Sequence, residues 1–201
     1  MLILLLVGST ISAQMEKGNW LVTGLDLVSF QSGTEKYSDG SDDSESNFSI
    51  FSVGPSILNA TIGVGSMPTL SYGFTNQLFG GISVMLASVS NKEDDNKNTT
   101  TISMIGPSVR CFMMKEKKFL PFVEGKAGIG SYKSEFGEWD DKMKLSGWYL
   151  GTGATYFFNP KTGIDFTLGY QKFTSKEKDS ESDFKGTNAG LAFGIGILVG
   201  F

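Results

Sequence analysis

The chain has 201 residues and a formal net charge of −4, with 26 Gly, 16 Phe and only 5 Pro. That balance favours many short glycine-punctuated strands over helices, so the chain reads as all-β. It has no His, and the single Cys111 excludes an internal disulfide and a thiolate metal cluster, leaving Cys111 as a small apolar side chain.

Residues 1–7 form an apolar run, followed by Gly8, Ser9, Thr10, Ile11, Ser12 and Ala13. This resembles the apolar core and small-residue cleavage site of a secretory signal peptide, so mature protein is expected to begin at Gln14. The run is short and lacks a basic flank, so the start is either truncated or unusual. No later stretch offers the ~18 uninterrupted apolar residues that a membrane helix needs.

Eight segments then alternate apolar with small or polar residues: 17–30, 62–74, 78–91, 99–112, 118–132, 143–158, 162–174 and 186–201. Period two is the strand signature. In the last segment Ala189, Leu191, Phe193, Ile195, Ile197, Val199 and Phe201 share one face. The opposite face carries Asn188, Gly190, Ala192, Gly194, Gly196 and Gly200, with Leu198 as the exception. The connections at 75–77, 113–117 and 159–161 are short, whereas 31–61, 92–98, 133–142 and 175–185 are longer and hold 16 of the 21 acidic residues. Short turns on one rim and long loops on the other describe an eight-stranded antiparallel up-and-down transmembrane β-barrel, with residues 14–201 as its single domain. Strands of 13 to 16 residues exceed the ~9 to 11 that cross a bilayer at ~45°, so their ends should rise above it on the loop side. Residues 46–60 are too apolar for an ordinary loop and are expected to be a β-extension or a folded part of the first loop. A strand that bends or bulges into Ile62 is also open.

A soluble carrier barrel of the lipocalin kind turns its apolar face inward. Volume argues for the reverse here, because an eight-stranded interior is only just wide enough for side chains and suits Gly, Ala, Ser and Thr. The parity sends Asp26, Arg110, Glu124, Lys126 and Asp165 into the lumen, where opposite signs would offset the cost of removing charge from water. It sends Trp20, Tyr72, Phe74, Phe119, Tyr156, Phe158 and Phe201 to the short-turn ends, where interface aromatic girdles are expected.

With these features, the opening 16–22 and the hairpin 70–84, the chain resembles small Gram-negative outer-membrane β-barrels of the OmpX and OmpA-barrel type, in the versions found in Bacteroidetes. In that family the C-terminal assembly signal runs from a polar residue to Gly two on and hydrophobic residues five and seven on. Gly196, Val199 and Phe201 match the last three places, and Gly194 departs from the polar one. The resemblance implies the barrel-assembly machinery and periplasmic chaperones as partners during biogenesis, with outer-membrane lipid and lipopolysaccharide as the surroundings.

Chemistry finds little purchase. Barrel enzymes of this membrane lean on a His, which is absent, and a Ser or Asp nucleophile without a base is weak. Gly128-Ile-Gly130 and Gly151-Thr-Gly153 lie in strands with no following helix, so they lack a phosphate loop's context. The pairs Asp42-Asp43, Asp94-Asp95 and Asp140-Asp141, with the acidic run 179–183, could bind divalent cations but read more simply as solvated loops. No catalytic residue, cofactor, metal site or nucleic-acid surface is expected. The expected function is a non-enzymatic outer-membrane protein displaying charged loops on a plugged barrel. The alternatives are a narrow channel or conduit for small or hydrophobic solutes, and a soluble exported lipocalin-like carrier.

Overall fold

The computed structural model describes residues 16–38, 43–53, 64–93, 96–114, 118–136, 139–177 and 185–201. The signal-like residues 1–13 lie outside these. Among the described residues there are nine strands: β1 (Trp20–Ser38), β2 (Asp43–Val53), β3 (Thr69–Gly73), β4 (Leu78–Glu93), β5 (Asn96–Phe112), β6 (Phe119–Phe136), β7 (Trp139–Asn159), β8 (Thr162–Glu177) and β9 (Lys185–Gly200). All pair antiparallel with their neighbours, and β9 pairs back onto β1 from Leu21↔Gly200 to Ser38↔Lys185, so the sheet closes into a ring. Closure leaves no sheet edge along β9, the usual solution to the edge-strand problem.

The ring has eight positions, because β2 and β3 share one of them. β9 occupies one edge of β1. On the other edge, Trp20–Thr23 pairs with β3 and Val28–Ser38 pairs with β2. Alternation predicts a strand over 62–74 at this position; among its described residues, 64–74, only Thr69–Gly73 is strand, preceded by a 3-10 turn at Val64–Ser66. Gly65 and Pro68 explain the shortening: glycine packs nothing in a strand, and proline supplies no N–H to a ladder. The apolar stretch at 46–60 resolves in part as β2, with Phe48 and Ile50 opposite the inward Gly33 and Gln31, and Phe51 opposite the outward Phe30.

Two expected loops are mostly strand. The β4–β5 ladder runs up to Glu93↔Asn96 and the β6–β7 ladder to Phe136↔Trp139. These extensions are polar on their outer face, where Ser88–Thr101 and Ser90–Thr99 hydroxyl pairs sit at 3.2 and 3.3 Å. Such cross-strand Ser/Thr pairs suit a hairpin standing in water.

Register settles which face is which. Leu86 and Ile129 are each 69 % exposed and Leu150 65 %, while the alternate positions Ser83, Phe122 and Gly128 are buried. Large apolar side chains therefore point out of the barrel all the way round, including Ile82, Ile105, Val109, Leu168 and Leu191. Along β6 the belt runs from Phe119 to Ile129 before giving way to Ser131. At ~3.4 Å per residue and ~45° tilt this is about 24 Å, close to the ~25 Å apolar band of transmembrane barrels.

Candidate functional site

The lumen is filled in layers. At the short-turn end Leu21, Phe79, Phe112, Leu120, Phe122, Phe157 and Leu198 form a buried apolar floor. Phe112 meets Phe79 and Phe122 edge-on, at centroid distances of 5.7 and 5.8 Å.

Above that floor lies a polar layer. Arg110, on β5, donates from Nε (3.1 Å) and Nη2 (2.8 Å) to Glu124 Oε2 on the neighbouring β6, and from Nη1 to Asp165 Oδ2 on β8 at 2.6 Å. The other oxygen of Asp165 accepts the Thr155 hydroxyl at 2.6 Å, and the guanidinium carbon stands 3.8 Å from the centre of the Phe122 ring. Every group in this triad is about 95 % or more buried. A guanidinium braced between two carboxylates, with a π-face beneath it, is compensated in the way that buried charge requires. Lys126 reaches the same layer, its Nζ 4.0 Å from Glu124 Oε1. Asp26 is also buried and faces Gly194 and Gly196, where a Cβ would come within 3.1 and 2.8 Å of its oxygens. Of the five ionisable residues assigned to the lumen, Arg110, Glu124 and Asp165 thus form one bonded cluster, Lys126 abuts it, and Asp26 lies on the β1 wall.

A third component was not legible as such in the sequence. The turn at Val64–Ser66 enters the barrel and is fastened there. Lys126 Nζ donates to the Gly65 carbonyl at 2.7 Å and to that of Met67 at 3.5 Å, and Gly65 N–H donates to Gln171 Oε1 at 3.3 Å. Gly24 has φ +74° and any Cβ there would collide with the Met67 carbonyl, so the β1 bulge exists where the turn passes. Tyr149 lies over Gly151 and Gly169, whose absent side chains leave room for its ring, and it packs against Gly65. Met67 joins Ile102, Met104, Leu145, Tyr149 and Ala192 in a second buried apolar cluster. Gln171 and Tyr149 were readable as inward by alternation; the signal for their role was Gly65 and Pro68 inside a supposed strand.

At the far mouth a cavity of about 350 Å³ is lined by Glu35, Tyr37, Tyr132, Met143, Leu145 and Phe173, among others. The Tyr37 phenol is pushed up to about 12 by its hydrogen bond to Glu35, with burial adding to the effect.

At the short-turn rim Trp20 stacks edge-on with Tyr72 (5.2 Å), Tyr72 with Phe74 (5.7 Å) and Tyr156 with Phe158 (5.6 Å). Phe119 pairs with Tyr156 in register. In the last strand Gly196 faces Asp26, Val199 points outward opposite Val22, and Phe201 exchanges two backbone hydrogen bonds with Trp20 at 2.9 and 3.0 Å. Among the described residues no group of three or more Cys, Asp or Glu is placed to hold a metal ion. Asp42, Asp94, Asp95 and 179–183 lie outside them, as do the side chains of Asp140 and Asp141.

No protein-family model and no curated protein matches the chain. Among solved structures it is similar to Neisserial surface protein A at 12 % identity, over 91 % of this chain and 99 % of that one, with a TM-score of 0.45. It is similar to the outer membrane protein OprG of Pseudomonas aeruginosa at 12 % identity, over 92 % and 97 %, with a TM-score of 0.45. The attachment invasion locus protein Ail of Yersinia pestis, solved with the heparin analogue sucrose octasulfate, gives 14 % identity over 92 % and 99 %, with a TM-score of 0.44. Each of these is a low-identity likeness of overall fold, and the closed ring itself stands on the chain's own ladders.

Proposed function

We propose that the chain is a non-enzymatic integral outer-membrane protein, a closed barrel that anchors polar hairpins above the membrane for a structural or surface-interaction role. The observation that carries this reading is the continuous outward belt of Leu, Ile, Val and aromatic residues, about 24 Å tall by the same geometry. A belt of that size would aggregate in water, whereas lipid covers it. The apolar floor and the Arg110 cluster act as a plug, and loops and strand extensions on such a rigid frame are where interaction surfaces reside. Trp20, Tyr72, Phe74, Phe119, Tyr156 and Phe158 form the interfacial girdle. Membrane fractionation with a gel-mobility shift on heating tests the reading; protein recovered in the soluble fraction without detergent would overturn it.

Gly196, Val199 and Phe201 act as the assembly signal, read by the barrel-assembly machinery after chaperone delivery. Phe201→Ala should then slow assembly in cells more than refolding in detergent, and equal damage in both would count against that role.

One observation favours a second reading, a conduit for small or hydrophobic solutes. The mouth cavity is lined by Tyr37, Tyr132, Phe173 and Met143, and among the described residues no ladder joins β2 to the upper part of β4. Steady unitary conductance steps in planar bilayers would favour a conduit over a plugged barrel.

A further inference from the structure

The cavity at the far mouth carries chemistry that a simple passage does not call on. On its inner wall Glu35, Asn188 and Phe173 stand side by side on β1, β9 and β8, and Tyr37, Gly186 and Ser175 form the next row. Glu35 and Phe173 are thus two strands apart, about 10 Å at ~4.8 Å per strand. Gly186 leaves the room in which the Tyr37 ring lies, since a Cβ there would come within 3.4 Å of it. The Tyr37 hydroxyl donates to the Glu35 carboxylate, which fixes its direction without cancelling its charge. Tyr132 and Met143, paired across β6 and β7, line the facing wall. With Phe173 they pack onto the buried cluster of Met67, Leu145 and Tyr149, which lies beneath. At about 350 Å³ the space suits a small molecule, since ligand pockets run from ~300 to 1,000 Å³.

Among the described residues that line it, the charged group is the half-buried Glu35 carboxylate. By the ladders, every lysine of the described strands above Lys126 occupies an outward position, and Lys36 pairs with Glu45 on that outer face. Arg110 and Lys126 do face inward, but lower down, where Glu124, Asp165 and the turn carbonyls hold them. Charge of one sign between low-dielectric walls focuses its field and draws counter-ions. A small metal ion would use the carboxylate and gain nothing from the Tyr132, Phe173 and Met143 walls. An organic cation uses both, because aromatic faces attract ammonium groups and the walls cover an apolar body.

We infer that the mouth cavity binds a small organic cation, its ammonium group between Glu35 and the Phe173 ring and its apolar body against Tyr132 and Met143. This goes beyond the conduit reading, since binding needs no path through the floor. Benzyltrimethylammonium is titrated calorimetrically into the full chain folded in neutral phosphatidylcholine nanodiscs, with benzyl alcohol and phenylacetate as uncharged and anionic counterparts and empty nanodiscs as the blank. The cation should bind at least about tenfold more tightly than either counterpart, the order expected of one close charge contact in a partly desolvated site. Glu35→Gln should weaken its binding by about tenfold and Phe173→Leu by about threefold, whereas Glu45→Gln on the outer face should leave it unchanged. Equal binding of the cation and benzyl alcohol would show an apolar cavity without charge recognition, and cation binding untouched by Glu35→Gln would put it elsewhere. Either result overturns the site, as does the absence of heat above the blank. Should Glu35→Gln fail to fold, the three ligands on the unsubstituted chain, together with Phe173→Leu, still decide. A chain that does not insert into the bilayer counts against the membrane reading instead, and the same titration in neutral detergent then decides the cavity.

Discussion

The lower and upper halves of this barrel are built to different standards. Below, β3 bridges β1 and β4 by ladders on both sides, the lumen is packed with aromatic rings, and the Arg110 cluster ties β5, β6 and β8 together across the interior. Above, β2 is held by β1 alone among the described residues, and the interior opens into a cavity. Between them sits the turn at Val64–Ser66, fixed by Lys126 and Gln171. Circumferential closure and radial cross-links therefore coincide in the lower half. In the upper half β2 has a ladder on one side only among the described residues, and what divides the two halves is a break in one strand position.

The largest effect should come from breaking the lower half at its centre. Arg110→Met leaves Glu124 and Asp165 buried without their cation and should cost about 3 to 5 kcal/mol in urea unfolding from lipid vesicles. Gly24→Ala comes next, because φ +74° alone costs a Cβ-bearing residue about 1 to 2 kcal/mol and the new methyl strikes the Met67 carbonyl. It should expose the Val64–Ser66 turn to protease while the lower half stays folded. Gln171→Ala removes one hydrogen bond to the turn, worth about 0.5 to 1.5 kcal/mol. The smallest effect belongs to the upper half: Lys36→Ala should leave unfolding unchanged within error, since the Lys36–Glu45 pair is solvated. Its hydrogen bond to Glu45 holds the Lys36 ammonium above the ordinary lysine pKa, so any contribution is present at neutral pH and lost only as pH climbs through that raised value.

Much of this was legible in the sequence because alternation is a strong signal wherever one face is lipid-like and the other small. The start and faces of β8 followed from Ile164, Phe166 and Leu168 against Gly163, Asp165 and Thr167, and those of β9 from Leu191, Phe193 and Ile195 against Gly190, Ala192 and Gly194, whereas the upper end of β8 runs to Glu177, beyond the expected 174. The second strand position was not legible, because Gly65, Ser66 and Pro68 interrupt it and its upper part, β2, lies in a stretch whose apolar residues alternate poorly with its serines. Strand extensions over Asn96 and Phe136 were hidden by charge: period two cannot separate a solvated hairpin from a loop when both faces are polar. Lumen parity was readable for Arg110 and Asp165, but which carboxylate meets which cation depends on β5 and β8 facing each other across the ring, a distance no local pattern reports.

The outward orientation of the apolar face supports every functional statement above, and one substitution addresses it directly. Leu168 is 52 % exposed, points outward between Thr152 and Phe193, and lies midway between Ile164 and the polar boundary at Lys172. Leu168→Arg should destabilise the barrel in lipid vesicles by roughly 2 to 4 kcal/mol, the midplane figure for an arginine against hydrocarbon, with Leu168→Ser costing less. A Leu168→Arg protein as stable as the unsubstituted chain, and recovered from cells without detergent, would contradict a lipid-facing belt.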